Sequence, residues 1–241
     1  MTEQKMEAFI TGIGWVSNKS MGYPTCIQHF DQNTTLPKIK RKEVLDHPHK
    51  PFGRMDAFSK LGFAAISFAI KDAGLKIENQ KTNISLIAST MTGCLETDIN
   101  FQQTLSKKLS SPAIFAYTLP SCFLGEASIY FGFTGESFVI NEETPNGLMG
   151  LFMALDIIDS GESECVLCGL SNSDLKIAQS GIKPGSLFFV IEKQALHSYG
   201  TISSISLKNM VYQTDIKIAD LYDLAEKCFH HNRLTLQGMA R

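Results

Sequence analysis

The chain has 241 residues, 44% of them hydrophobic and 19% charged, with a formal net charge of -2. That is enough apolar material for one large core, and no global field exists that would recruit nucleic acid or an anionic membrane surface. Its six cysteines lie scattered in apolar contexts, the N-terminus lacks the apolar core of a secretion signal, and no apolar run reaches spanning length. The expectation is a reduced, cytoplasmic protein with no membrane and no nucleic-acid partner.

Residues 8–16, Ala-Phe-Ile-Thr-Gly-Ile-Gly-Trp-Val, read as a central strand and its exit. Gly12 and Gly14 do not make a dinucleotide fingerprint, since no helix with a third glycine follows, and no cofactor is expected. From Met21 to Arg54 four prolines break the pattern, which predicts a long surface loop. Within it Lys38, Lys40, Arg41, Lys42, Lys50 and Arg54 concentrate positive charge, a solvated face or a docking patch for an acidic carrier. His47 and His49 make half a metal site at best, and no metal is expected there.

Phe58, Leu61, Ala65, Phe68 and Ala69 share one face of a helix that stops at Gly74. Residues 84–90 form a buried strand, and Met91 to Leu105 lead into a second helical stretch. Ser111-Pro112 opens a loop, and Leu119-Pro120 opens a short helix that reaches Phe131. Phe138, Val139 and Ile140 then form a third strand that meets a sharp polar turn, Asn141 to Asn146. Beyond it Leu148, Leu151, Phe152, Leu155 and Ile158 recur at helical spacing. A turn of this kind presents a side chain to free N–H groups at a helix start, a place suited to a nucleophile or an oxyanion. The presented residue is Thr144.

Residues 164–170 and 185–193 predict a fourth and fifth strand. Cys165 and Cys168, three apart on the fourth, should project to opposite faces and be structural. A short strand from Thr201 to Leu207 precedes a helix capped by Asp215, with a frayed tail from His230. The chain divides into a main domain, 1–207, and a C-terminal helical extension, 208–241.

Several motifs coincide in order. Ile10-Thr-Gly-Ile-Gly-Trp-Val16, Arg54-Met-Asp-Ala-Phe-Ser-Lys60, Thr92-Gly-Cys-Leu-Glu-Thr97, Leu119-Pro-Ser121, Tyr130-Phe-Gly-Phe-Thr-Gly-Glu-Ser137, Gly169 and Val190-Ile-Glu-Lys193 together resemble the N-terminal half of a β-ketoacyl synthase, in the thiolase-like superfamily. The resemblance implies an α/β half-fold with a mixed five-stranded sheet of order 3-2-1-4-5 and helices on both faces. It also implies that Phe138, Val139, Ile140 and Asn141 form an edge strand that pairs across a dimer axis.

The same resemblance places Thr144 where the family carries its acyl-accepting cysteine, with Glu142 and Glu143 just before it. A threonine hydroxyl holds its proton far more tightly than a thiol, and no strong base is evident. The histidine pair and lysine of the family, and its gating loop, belong to a second half that this sequence does not contain. The resemblance therefore implies a catalytically inactive, chain-length-factor-like accessory subunit in fatty acid, polyketide or polyene-type biosynthesis. Its partners would be a ketosynthase, as homodimer or heterodimer, and an acyl carrier protein docked on Lys38, Lys40, Arg41, Lys42 and Arg54. The alternative is an acyltransferase or thioesterase-like enzyme using Thr144 with Glu142 or Glu143 as base. The helix that starts at Asn146 is expected to be covered by the one after Asp215 or by a partner.

Overall fold

The computed structural model describes residues 7–30, 36–77, 81–144, 146–173, 182–202, 205–208, 211–214 and 218–239, with the backbone alone for 205–208, 211–214 and 231–239. Apolar residues on both sides of nearly every long strand force a middle layer covered twice, and an eight-stranded mixed sheet supplies it. Its strands are β1 (Ala8–Val16), β2 (Ser20–Tyr23), β3 (Cys26–His29), β4 (Ile84–Thr90), β5 (Ser137–Asn141), β6 (Cys165–Asn172), β7 (Gly185–Glu192) and β8 (Gly200–Ile202). Neighbours run β3-β2-β1-β7-β6-β4-β5, with β8 added to β1. β4 is parallel to β5 and β6, and β7 is antiparallel to both β6 and β1.

The α/β class, the mixed sheet and the helices on both faces agree with expectation; the strand count and order do not. Among the five strands read from the sequence, the order is 3-2-4-5-1 in place of 3-2-1-4-5, because β1 lies outside β7 and does not touch β4. The four strands other than β5 are rich in buried apolar residues, so none of them names its neighbour by its own residues. The antiparallel β6–β7 pair takes the place beside β4, and β1 is left to extend the far edge with β2, β3 and β8.

One face of the sheet carries α2 (Ala57–Ala73) and α5 (Cys122–Phe131); the other carries α6 (Leu148–Ser160) and α7 (Leu221–Met239). Leu86, Ala88, Leu167, Phe188 and Val190 face the first pair, and Ile87, Val166, Cys168, Leu187, Phe189 and Ile191 face the second, the period-two alternation of a pleated strand. Cys165 packs on the first core and Cys168 on the second, opposite as expected. In β1 the register slips between Ile10 and Gly12, a bulge that puts Ile10 and Ile13 on the same face although three residues separate them. Gly12 and Gly14 thereby both turn toward α2, where a Cβ on Gly14 would lie 2.2 Å from Ala69 N and 2.3 Å from Ala65 O.

α2 starts at Asp56, whose carboxylate accepts from Ser59 N at 2.8 Å, and stops at Gly74, which takes the left-handed φ of 63°. It is buried almost all round from Phe58 to Ile70, not on one face, because α5 and the segment before it cover its outer side. That segment was expected to be a surface loop. Instead β2 and β3 pair antiparallel, α1 (Arg41–Val44) and a 3-10 turn (Lys50–Gly53) follow, and Val44, Leu45, Phe52 and Met55 are buried against α2. Prolines removed the periodicity that would have marked these short elements. Ser111-Pro112 likewise opens a short helix, α4 (Pro112–Phe115), where a loop was expected.

After β8, β9 (Ile205–Lys208) and β10 (Val211–Thr214) form a separate two-stranded sheet. Asp215 lies outside the described residues. α7 begins at Leu221, where Asp220 Oδ1 accepts from Asp223 N at 2.8 Å, and its backbone stays helical to Met239 past the expected fraying point. Leu221, Leu224, Ala225 and Cys228 join the core over α6 and β1, and Phe229 meets Trp15 edge to face at 5.5 Å. α7 thus covers the apolar side of the α6 layer, as expected.

Asp72 ties α2 to β1. Its Oδ2 accepts from Ile13 N at 2.8 Å, and Tyr199 O–H donates to the same carboxylate at 2.9 Å. Burial pushes its pKa up to about 6 from 3.8, against the opposing pull of these hydrogen bonds. A raised carboxyl pKa stabilises the fold only while protonated: the contribution is complete below about pH 4 and is lost as pH rises through about 6. Asp72→Asn, neutral at every pH, should therefore gain on wild type by roughly 2 kcal/mol between pH 4 and pH 7. Urea melts of the two proteins at several pH values check this, and parallel stability curves would refute it.

Candidate functional site

The carboxyl ends of β4, β5 and β6 meet the start of α6 on one side and a cleft of about 620 Å³ on the other. Thr90, Met91, Gly93, Cys94, Asp98, Pro120, Phe138 and Asn141 line the cleft. Its location, outside the carboxyl ends of parallel strands, is where open α/β sheets bind ligands.

Glu142 leaves β5 and turns back over the first turn of α6. Its Oε2 accepts from Gly147 N at 3.0 Å, and its Oε1 from Met149 N at 3.1 Å and from Ser89 Oγ at 2.6 Å. Gly147 holds a left-handed φ of 70°, and Asn146 Oδ1 accepts from Leu148 N at 3.0 Å. Three N–H groups that a helix start leaves open are satisfied by two side chains, and a full negative charge sits on the positive end of the helix dipole. Asn146 O also accepts from Leu221 N, so the starts of α6 and α7 are joined.

Thr144 and Glu143 are exposed on the bend that precedes α6. The structure therefore separates the three residues that the sequence grouped: Glu142 faces inward and is engaged, while its two neighbours face solvent. Cys94 is the thiol that lies in the cleft. Its S–H donates toward Asp98 at 3.7 Å, and burial together with that carboxylate pushes its pKa up to about 12. Burial likewise pushes Cys168 and Cys228 up to about 12. Thiols held so firmly protonated are not activated nucleophiles.

A second polar group, not foreseen from the sequence, sits beside the cleft. Asn172 Oδ1 accepts from Met91 N at 2.9 Å, Thr90 Oγ1 accepts from Gly93 N at 2.8 Å, and Thr92 Oγ1 accepts from Ser173 N at 2.9 Å. These bonds fix the Thr92-Gly93 turn against the end of β6. The Thr90–Gly93 bond is local, but Asn172 and Ser173 lie about eighty residues from their partners along the chain, and no local pattern could have announced those two contacts.

The basic residues divide. Lys40, Arg41 and Lys42 line a groove of about 560 Å³ together with Lys50 and Lys60. Lys60 is held below the usual lysine range, first by burial and also by Lys38, which places Lys38 in the same cluster. Lys60 was missed because it stands on α2, away in sequence. Arg54 turns from this groove to Glu126, 3.8 Å away, which also accepts from Tyr117 O–H at 2.8 Å. His49 is buried between Phe63 and Tyr130, with its Nε2 3.5 Å from Glu126 but too poorly aligned for a hydrogen bond. Among the described residues no cluster of three or more His, Cys, Asp or Glu could hold a metal ion, and no helix is long and apolar enough to cross a membrane.

A family model described as β-ketoacyl synthase, N-terminal domain, matches residues 41–181, more than half of the chain. Nodulation protein E of Rhizobium leguminosarum bv. trifolii is 28% identical over 148 residues, which cover 60% of this chain and 37% of that protein. The chain spans well under two thirds of that relative's length. Among solved structures, the ishigamide ketosynthase/chain length factor superposes with a TM-score of 0.66 at 17% identity, over 83% of this chain and 63% of that one. A type II polyketide synthase acyl carrier protein in complex with its ketosynthase, bound to the hexaketide, gives a TM-score of 0.64 at 17% identity, over 84% of this chain and 69% of that one. At these identities the structural likeness speaks for the fold.

Proposed function

The chain belongs to the β-ketoacyl synthase family, through its N-terminal domain, and from that premise we propose that it is a catalytically inert accessory subunit of the chain-length-factor type. It serves an acyl-chain-building synthase by pairing with a ketosynthase and receiving an acyl carrier protein. The observation that carries this reading is Glu142. Chemistry at the start of α6 needs its free N–H groups to bind the oxygen that becomes negative, and here a carboxylate of the chain already takes the N–H groups of Gly147 and Met149. An acyl oxygen would have to displace an anion from its own dipole site. Thr144, the residue at the family's cysteine position by sequence register, is exposed on the bend. Of the two acids that could serve as its base, Glu142 accepts three hydrogen bonds elsewhere and Glu143 is exposed to solvent.

The two surfaces left for partners suit protein contacts. β5, at the sheet edge, offers an unshared row of backbone groups for a ketosynthase strand. The groove of Lys40, Arg41, Lys42, Lys50 and Lys60 offers clustered positive charge for an acidic carrier protein.

Intact-mass spectrometry after incubation with acyl-loaded carrier protein tests the proposal. Wild type and Thr144→Ala should both stay at their unmodified mass, while the carrier is retained in the native complex and lost from Lys40→Glu/Lys42→Glu. An acyl adduct on wild type that is absent from Thr144→Ala would establish a hydroxyl nucleophile and overturn inertness.

A further inference from the structure

Between Phe58 and Ile70 on α2 the single charged residue is Lys60, half-buried where every other residue of that stretch is buried. It reaches the groove that Lys40, Arg41, Lys42 and Lys50 also line. A lysine withdrawn from water ordinarily has a carboxylate beside it. Two carboxylates are near, and both are engaged elsewhere. Glu43 turns back on its own segment, its Oε2 accepting from Lys40 N at 3.1 Å and its Oε1 lying 3.4 Å from Lys40 Nζ. Asp56, one turn earlier on α2, accepts from Ser59 N at 2.8 Å and from Thr97 Oγ1 on α3 (Leu95–Ser106). Among the described residues the Lys60 amine donates no hydrogen bond and makes no ion pair.

Its surroundings are cations: Lys40, Arg41, Lys42 and Lys50 along the groove, and Lys38 beside it. Burial and Lys38 ease the proton off this amine, against the pull of Asp56. A lysine so placed gives up its proton more readily than an exposed one, and the neutral amine is a nucleophile. The same cations favour any reaction that leaves an anion on the nitrogen. An electrophile that leaves a neutral amide would gain nothing from them.

We propose that Lys60 is a reversible carbon dioxide site, whose amine adds CO2 to form a lysine carbamate held by the basic residues around it. The nitrogen lone pair forms a bond to the carbon of CO2, one C–O pair moves onto oxygen, and a proton passes from nitrogen to water. No group leaves and nothing is oxidised or reduced. One positive charge becomes one negative charge at the centre of the groove, and the unpaired amine is replaced by an anion with Lys38, Lys40, Arg41, Lys42 and Lys50 about it. On the docking reading above, an acidic carrier would then be held less tightly as carbon dioxide rises.

Triethyloxonium ion converts a carbamate into its stable ethyl ester, which peptide mass mapping locates. The chain alone, trapped at neutral pH in carbon-13 bicarbonate, should carry the ester on Lys60 at an occupancy at least about tenfold above that on Lys76 and Lys193, which are exposed. Lys60→Arg keeps the charge and should remove the carbamate signal at that position with the melting curve unchanged. Lys42→Gln/Lys50→Gln removes two flanking cations and should lower the Lys60 label several-fold while that of Lys76 holds. Label spread evenly over the lysines would overturn the proposal, as would a Lys60 label indifferent to the loss of Lys42 and Lys50. No carrier protein is present in this experiment, so its failure would leave the docking reading to its own test.

Discussion

Gly14→Ala is expected to lose at least about 3 kcal/mol of stability, a fall of roughly 6–12 °C in melting temperature for a chain of this size. β1 and α2 touch through Gly12 and Gly14, and a methyl group on Gly14 would overlap Ala69 N and Ala65 O, at 2.2 and 2.3 Å. Both are backbone atoms of a helix buried on nearly all sides, so neither can swing away as a side-chain tip could. Relief requires lifting α2 from the sheet, which would open cavities around Phe63 and Phe188, two of the largest fully buried side chains. Gly125→Ala is the control: a Cβ there meets nothing within 4 Å, and alanine is the better helix residue, so its melting temperature should hold or rise. Circular dichroism melts of the pair decide the matter. Equal melting temperatures would mean that the β1–α2 approach is looser than the structure shows.

Glu142→Ala should cost about 2–3 kcal/mol, or roughly 5–10 °C, because it removes the acceptor for Gly147 N, Met149 N and Ser89 Oγ together and strips the charge from the helix start. Glu142→Gln keeps the shape and one carbonyl acceptor and should lose about half as much. The comparison also bears on function. If Glu142 is the chain's own occupant of the α6 start, a small carboxylate such as acetate should partly restore the melting temperature of the alanine variant and do nothing for wild type. A Glu142→Ala protein as stable as wild type would show that the carboxylate contributes no net stability there, and the account of α6 would fail with it.

The local elements were legible in the sequence because local chemistry determines them. Period-two and helical repeats of apolar residues marked β4, β6, β7, α2 and α6, and Gly74 marked where α2 must stop. The opposite faces of Cys165 and Cys168 followed from strand geometry alone. The ordered motifs carried the family, and with it the half-fold and β5 at the sheet edge. The short elements between Met21 and Arg54 escaped, because four-residue strands and helices separated by prolines hold barely one helical turn or two strand repeats, too few for a pattern to stand out.

What tertiary structure alone decided were contacts between residues far apart in sequence. The place of β1 outside β7 depends on which apolar strands pair, and strands buried on both faces carry no label for their neighbours. Glu142, Glu143 and Thr144 are adjacent in sequence, yet one turns inward to Ser89 and the start of α6 while the others face water, since only the folded chain brings those donors within reach. Arg54 leaves the basic cluster for Glu126 and Lys60 enters it for the same reason: charge sums over space, and the sequence orders residues only along a line.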